Sequence, residues 1–173
     1  MKYLVREKMF SIGDDFWIED EHGNKAFYVD GKVLRLRETL VVQDPHGREL
    51  AVIHKKVISV RDAMTVERDG EVLVTVRKKL FTPFHDSYRA ELASGDELEI
   101  RGDIIDKEYD IEYGDERLAR ISRKWFRLRD TYAIHVDRDD ADPAMLIAIA
   151  VCVDRLVEHE HEKHEREREN HER

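Results

Sequence analysis

The sequence predicts a mainly β protein, a closed antiparallel barrel of about twelve strands that encloses a hydrophobic C-terminal helix. Two patterns lead to this prediction. Between Tyr3 and Val136, short runs of alternating apolar and polar residues are separated by turn sequences, as is typical of strands in an antiparallel sheet. Between Ala144 and Val153, ten consecutive residues carry no polar side chain. A helix that is apolar on every face must be surrounded by the rest of the fold.

Turn sequences divide the first part of the chain into strands. Gly beside Asp or Asn supplies the positive φ that tight hairpins require. The expected turns are Asp20 to Asn24, Asp30-Gly31, Asp44 to Gly47, Asp69-Gly70, Ser94 to Asp96 and Gly114-Asp115. The segment from Ile104 to Ile111 is expected to be one strand. Such a number of antiparallel strands exposes unpaired edges unless the sheet closes, so a barrel is favoured.

The apolar segment begins as a helix should. Asp142 can accept hydrogen bonds from the first amide groups, and Pro143 suits the first helical position. Ten residues of helix span about 15 Å, half of a bilayer core, which predicts a core helix and not a membrane span. A barrel of eleven or so strands can enclose a helix of about 10 Å diameter.

The predicted organisation is one barrel domain over residues 1–157, with its central helix at about 142–157, followed by a charged tail over 158–173. The tail holds seven acids, four bases and no apolar residue, so we expect a fraying helical extension or disorder. Asp154 is expected at the rim where the helix leaves the barrel. Cys152 is expected to pack as a small hydrophobe.

Charge and cysteine content limit the partners and the compartment. The formal net charge of −9 disfavours nucleic acid as a partner. The single cysteine excludes a disulfide framework within the chain, and the early charges Lys2, Arg6 and Glu7 do not fit a signal peptide. We therefore expect a soluble, cytoplasmic protein, with peripheral association with a membrane as an open alternative.

Several short sequences, taken in order along the chain, resemble a known family. They are Asp20 to Val29, Gln43 to Gly47, Ile100 to Asp103, Ala119 to Lys124, Tyr132 to Val136, and the apolar helix that ends at Val153-Asp154. In this order the chain resembles the LURP-one-related proteins, which belong with the Tubby C-terminal domain and the phospholipid scramblases.

The resemblance implies a barrel of about twelve strands around a hydrophobic C-terminal helix. It also implies a connection with lipids, because Tubby domains bind phosphoinositides through basic side chains on the barrel and scramblases act on lipids. The chain differs from eukaryotic scramblases because it has no palmitoylation-type cysteine cluster and no Pro-rich N-terminal segment.

The candidate site for an anionic headgroup is a set of basic and aromatic residues. The densest group has five cations around two aromatics, and its candidate residues are Arg120, Arg123, Lys124, Trp125, Arg127 and Arg129. Arginine forks could hold a phosphate while the aromatics enter the interface, or the group could stack on single-stranded nucleic acid. Alternatively, these residues form the solvated face of a hairpin, since Arg123, Trp125, Arg127 and Arg129 alternate along a strand.

Two lysine pairs complete the candidate set. Lys55-Lys56 and Lys78-Lys79 each follow an alternating strand. Lysines at strand edges also protect against aggregation, so a structural role is the alternative. Convergence of these pairs with the Arg123 group would favour anion binding, and spacing alone does not decide it.

Other charged motifs carry weaker hypotheses. Asp137 to Asp142 could hold calcium, but it lacks the Gly and the closing Glu of an EF-hand, and acids before a helix also stabilise its N-terminus. His161 and His164 could share a metal on a helix, without the spacing of a zinc protease. No nucleophile elbow, phosphate loop or dinucleotide fingerprint is present. We expect neither an enzyme nor a cofactor.

The sequence thus favours a non-enzymatic binding or scaffold domain of the LURP-one-related type. Its partner would be an anionic phospholipid or membrane surface, or another protein. Two alternatives stay open: a scramblase-like lipid-active protein, in which the apolar helix would leave the barrel, and a purely structural or oligomerisation module.

Overall fold

The computed structural model of the 173-residue chain describes residues 1–6, 15–32, 39–56, 62–80, 87–124 and 131–171. These residues form strands and one C-terminal helix. The elements are β1 (Lys2–Arg6), β2 (Phe16–Asp20), β3 (Lys25–Lys32), β4 (Thr39–Gln43), β5 (Glu49–Lys55), β6 (Ala63–Arg68), β7 (Glu71–Lys78), β8 (Tyr88–Leu92), β9 (Glu97–Asp103), β10 (Glu108–Tyr113), β11 (Glu116–Ser122), β12 (Thr131–Val136) and α1 (Pro143–His171).

The strands form the closed antiparallel barrel that the sequence predicts. Each strand pairs with its neighbours in sequence, and β1 pairs with β12 to close the sheet, with Leu4 opposite Ala133. Closure leaves no strand edge unpaired in this sheet, which removes the aggregation risk of an open antiparallel sheet. The predicted fold class is confirmed.

The barrel is filled by α1. Alternate strand residues and the apolar half of the helix form one core cluster, in which Ile53, Val66 and Ile149 are fully buried. From Leu146 to Leu156 every helix residue is buried, so all faces of this part of α1 are covered. Cys152 is a buried, unbridged member of the same cluster, as expected for a small hydrophobe.

Asp142 caps the helix as predicted. Its Oδ1 accepts a hydrogen bond from the Met145 amide at 3.2 Å. Its Oδ2 accepts a bond of 2.7 Å from the guanidinium of Arg68, whose Nε also donates to the Leu50 carbonyl at 2.7 Å. The cap therefore ties the start of α1 to the ends of β5 and β6.

The barrel has two different ends. Because neighbouring strands are antiparallel, all odd-numbered strands begin at one end and finish at the other. At the end where they begin, hairpins of two to five residues connect the strands, and we call it the tight-turn end. The helix enters there and leaves at the opposite end, the helix-exit end, where Lys78 of β7 contacts Glu160.

Two details of the predicted strands are wrong. Asp30-Gly31 is not a turn but part of β3, where Gly31 pairs with Leu40 and donates its amide to Asp15 at 3.1 Å. Residues 104–107 are not a strand but the turn between β9 and β10. Both errors have one cause, since local composition does not reveal where cross-strand pairing stops.

The helix continues beyond the apolar segment. It extends through the charged residues 158–171, so the helical alternative for the tail is the one observed over this range. In the parts of the chain that the structure describes, no helix is long and apolar enough to cross a membrane.

Candidate functional site

The described connections at the two ends of the barrel differ in charge, and the charged part of α1 that leaves at the helix-exit end adds six acids and three bases over residues 158–171. The connections at the tight-turn end, including the one that leads into α1, contain nine acids and two bases. The described connecting residues at the helix-exit end contain five bases, Lys56, Lys79, Lys107, Arg123 and Lys124, and three acids. The seven predicted site residues that the structure describes lie on or next to strands that finish at the helix-exit end. Among the described connections, those at the helix-exit end are therefore the more basic.

The extension of α1 neutralises the lysines on one side of this end. Lys78 Nζ contacts both carboxylate oxygens of Glu160 at 2.9 Å. Lys55 lies 3.9 Å from Asp62, and these two residues line a groove of about 370 Å³ against the helix. The helix side of this groove is formed by His159, Glu162, Lys163, Arg166, Glu167 and Asn170. This groove balances positive and negative charges and has no net preference for an anion.

Two further predicted cations are paired along the barrel wall. Lys79 lies 3.3 Å from Glu99. Burial raises the pKa of Glu99, but the hydrogen bonds and charges of Lys79 and Arg101 together lower it below its ordinary value. Arg120 makes two hydrogen bonds, of 2.8 and 2.9 Å, to its cross-strand partner Asp110, which raise the pKa of Arg120. Arg120 therefore forms an ion pair with Asp110 on the barrel wall.

Arg123 and Lys124 lie where β11 finishes, and both are organised by Glu108. The Glu108 Oε1 accepts the backbone amides of Arg123 at 2.9 Å and Lys124 at 3.0 Å. The Ser122 hydroxyl donates to the same carboxylate at 2.9 to 3.0 Å. The Lys124 side chain is 79% exposed, with its Nζ 3.8 Å from Glu108. Sequence reasoning found the two cations and missed the carboxylate between them.

Exposed apolar side chains accompany these cations. Leu80 follows β7 and is 49% exposed, and Ile105 lies in the β9–β10 turn and is 52% exposed. Because β7, β9 and β11 are alternate strands of the sheet, their ends succeed one another around the rim. We name Lys79, Leu80, Ile105, Arg123 and Lys124 the rim strip. Sequence periodicity could not reveal the rim strip, because its members come from three different connections between strands.

The predicted site residues thus divide into four groups. Arg120 is paired with Asp110 on the barrel wall. Lys79, Arg123 and Lys124 belong to the rim strip. Lys55, Lys56 and Lys78 lie at the same end, on or just after β5 and β7, on the side where the α1 extension packs. Trp125, Arg127 and Arg129 lie outside the described residues. The lysine pairs and Arg123 therefore share one end of the barrel without forming a single cluster in the described part of the chain.

Asp154 is not at the rim, which corrects the prediction. Its side chain is 6% exposed and pairs with Lys107 Nζ, and the Tyr132 hydroxyl donates to its Oδ2 at 2.8 Å. Burial and the neighbouring Asp154 charge raise the pKa of Tyr109 well above its ordinary value. Lys107 reaches inward from a turn position with φ of +57°. The sequence offered no signal for this partner, because Lys107 is 47 residues away.

The other charged motifs are engaged in ion pairs. Asp137 contacts Arg117 at 2.5 Å, and Asp140 contacts Arg138 at 2.5 Å. His164 of the α1 extension lies 3.7 Å from Glu167. Among the described residues, no group of three or more potential ligands is arranged to hold a metal ion.

The geometry defines a class of protein, namely a twelve-stranded barrel filled by its own C-terminal helix, with acidic connections at one end and, among those described, basic and partly apolar connections at the other. Comparison with known proteins agrees with this class. The family model of the LURP-one-related proteins matches residues 1–154, and the chain belongs to this family.

One sequence relative and one solved structure are similar to the chain. The chain is 26% identical over 157 residues to the uncharacterized protein YxjI of Bacillus subtilis (strain 168), covering 91% of this chain and 94% of that protein. The X-ray structure of the Arabidopsis thaliana protein AT5G01750 superposes with a TM-score of 0.57 at 18% identity, covering 86% of this chain and 89% of the other. This second likeness concerns the fold alone.

Proposed function

We propose that this protein is a non-catalytic binding domain that docks on anionic phospholipid headgroups through the rim strip. The observation that carries the proposal is the exposure of two aliphatic side chains, Leu80 and Ile105, in the same set of connections that holds the cations of the rim strip. Aliphatic side chains beside Lys and Arg match the interface of a membrane, where headgroup charge lies next to acyl chains.

The expected affinity is modest. A Lys or Arg near an anionic leaflet contributes about 1 kcal/mol. Full burial of a Leu or Ile contributes about 1.5 to 3 kcal/mol, and side chains that are already half-buried contribute correspondingly less. Because the chain as a whole carries a net charge of −9, binding depends on presenting this end and not the acidic one. Reversible, salt-sensitive association follows.

Vesicle co-sedimentation tests the proposal. Vesicles of phosphatidylcholine alone and with added phosphoinositide are compared at two salt concentrations, using the native chain, Leu80→Ser with Ile105→Ser, and Arg123→Gln with Lys124→Gln. We expect binding only to the anionic vesicles, reduced by on the order of tenfold in each double variant. Val72→Ser is the matched control, since Val72 is 44% exposed but lies at the tight-turn end.

Two outcomes would overturn the lipid proposal. One is no sedimentation of the native chain with anionic vesicles at low salt. The other is an equal loss of binding in Val72→Ser, because it would mean that the rim strip is not the contact. The first result would favour the second candidate described below, and the second result would place the lipid contact elsewhere on the barrel.

The second candidate is a scaffold for a protein partner, and the α1 extension favours it. From Glu158 to His171 the helix is polar on every side, and its residues from Lys163 to His171 are exposed. A helix of this kind can be stabilised by its own charge pairs and can bridge to another polypeptide. Truncation after Val157 separates the candidates, since it should leave vesicle binding intact and abolish capture of a protein partner.

A scramblase-like activity is less favoured than either candidate. It would require α1 to leave the barrel, which exposes the side chains from Leu146 to Leu156 and separates Asp154 from Lys107. Each larger aliphatic side chain would cost about 1.5 to 3 kcal/mol on exposure to water. Lipid movement in reconstituted vesicles would contradict this ranking.

A further inference from the structure

The carboxylate of Glu108 lies in a set of donors that is suited to a phosphate group. Two consecutive backbone amides, those of Arg123 and Lys124, point at its Oε1 from 2.9 and 3.0 Å. The Ser122 hydroxyl contacts both oxygens, and the same hydroxyl accepts the Lys124 amide at 3.3 Å. The Lys124 ammonium lies 3.8 Å from Oε2. Consecutive amides with a hydroxyl and a cation form an anion-binding concavity.

The occupant of this concavity comes from the neighbouring strand. Glu108 is the first residue of β10 and the cross-strand partner of Ser122. Its side chain is 21% exposed, so its carboxylate can turn towards solvent while the β9–β10–β11 ladder stays in place. Ile105 of the rim strip lies in the turn that leads directly into this strand. The carboxylate therefore sits beside the surface that the proposed function presents to headgroups.

We infer that the Ser122–Lys124 segment is a binding site for a phosphate monoester. In the native chain the Glu108 carboxylate occupies this site in place of the phosphate. The inference rests on the proposed function and specifies its ligand. A phosphate monoester carries close to two negative charges and three terminal oxygens, whereas a carboxylate carries one charge and two oxygens. It can therefore outcompete Glu108, while a monoanionic phosphodiester gains little by the exchange. The domain thus selects headgroups with a terminal phosphate.

The test removes the Glu108 carboxylate. Glu108→Ala is compared with the native chain in titrations with inorganic phosphate and with dimethyl phosphate, a monoanionic diester, followed by amide shifts in ¹H–¹⁵N spectra. We expect the variant to bind inorganic phosphate on the order of tenfold more tightly than the native chain, with the largest shifts at the Arg123 and Lys124 amides, and to show no such gain for the diester. Glu112→Ala, which removes a half-buried carboxylate of the same strand, should behave as the native chain does.

Adding Ser122→Ala to Glu108→Ala should reverse the gain, because it removes one donor and leaves the two amides. If Glu108→Ala does not fold, Glu108→Gln keeps an acceptor for the amides and removes the charge, and the same gain is expected at smaller size. No gain in phosphate affinity in a folded variant, or shifts that avoid Arg123 and Lys124, would overturn the inference.

Vesicle sedimentation distinguishes failure of the phosphate-site inference from failure of the proposed function. Glu108→Ala should strengthen sedimentation with phosphatidylinositol 4-phosphate and not with phosphatidylinositol, which lacks a monoester. If anionic vesicles bind but the variant shows no gain, the lipid proposal stands and the phosphate site is wrong. If inorganic phosphate binds at the two amides and no vesicle sediments, the site takes soluble phosphate esters and the lipid proposal is wrong.

Discussion

The two ends of the barrel reverse the same strands by different means. At the tight-turn end, Asp20 Oδ1 accepts the amides of His22 and Asn24 at 2.9 and 2.8 Å, and Asp44 Oδ1 accepts those of His46 and Arg48, both at 2.9 Å. Each of these turns is complete within five residues. At the helix-exit end, Lys107 and Glu108 find their partners on α1 and β11. These two hairpin turns are closed by local contacts, whereas Lys107 and Glu108 use contacts that are distant in sequence.

This difference indicates where the protein can change without losing its fold. Local turns stabilise the hairpins independently of the helix. The helix-exit end instead combines the helix anchor, the proposed phosphate-binding donors and the exposed aliphatic residues within three successive connections. Function is expected where distant parts of the chain meet, because a binding site needs side chains from several elements.

The largest expected effect is loss of the helix anchor. Asp154→Ala should lower the free energy of unfolding by about 3 to 5 kcal/mol, because it leaves the Lys107 ammonium buried without its partner. Urea denaturation at neutral pH measures the change. Combining Asp154→Leu with Lys107→Met should recover most of the loss, since neither charge of this pair is then left buried alone. A loss below about 1 kcal/mol for Asp154→Ala would mean that the pair is solvated and that the two ends do not differ as described.

A glycine at each end gives the next largest contrast. Gly102, with φ of +136°, approaches β10 so closely that a Cβ would lie 2.4 Å from the Glu108 carbonyl oxygen and 2.7 Å from the Tyr109 Cα. Gly23, with φ of +81°, has no atom within 4 Å of that position. We expect Gly102→Ala to cost about 2 to 4 kcal/mol and Gly23→Ala about 1 kcal/mol in unfolding free energy. Equal losses of unfolding free energy in the two variants would contradict the distinction between the packed helix-exit end and the local turns of the tight-turn end.

The smallest effect is a pH dependence that belongs to the tight-turn end. The side-chain hydrogen bond from Asn24, and then its backbone amide, lower the pKa of Asp20, while the backbone amide of Arg48 is the main cause that lowers the pKa of Asp44. A lowered folded-state pKa means that the stabilisation is present above the unfolded-state pKa and is lost as pH falls through the folded-state value. At neutral pH the native chain should therefore be more stable than the double variant that combines Asp20→Asn with Asp44→Asn.

Thermal unfolding between pH 7 and pH 2 measures this difference. The advantage of the native chain should begin to shrink below about pH 4 and vanish at the acid end. A difference in melting temperature that stays constant down to pH 2 would show that the two aspartates act as hydrogen-bond acceptors regardless of charge.

The candidate site was predictable only in part. Arg123 and Lys124 were found because basic residues cluster visibly in the sequence. Glu108 was missed because a bulge lies between Ile111 and Glu112. Counting back from the Gly114-Asp115 turn without the bulge would place Glu108 opposite Ile121, a residue of the core, and not opposite Ser122. One extra residue in a strand exchanges its two faces beyond that point.

The same limit explains Asp154 and Ile105. Asp154 falls where the apolar pattern of the helix ends, so a rim position was the reasonable expectation. Its burial depends on the depth of α1 in the barrel and on the inward direction of Lys107. Ile105 was assigned to a strand because apolar residues on both sides continue the alternation, and only the pairing of β9 with β10 shows that four residues there form a turn.

The sequence by itself determined the closed barrel, its helical filling, the helix cap at Asp142 and the local turns at Asp20 and Asp44. These follow from alternation, from an unbroken apolar segment and from side chains that bond their own backbone, all of which act over a few residues. Only the tertiary structure decided the burial of Asp154 with Lys107, the placement of Glu108 among the donors of β11, and the meeting of Leu80 and Ile105 with the basic residues. Each of these depends on register and closure, which are set by packing across the whole barrel and leave no periodic trace in the chain.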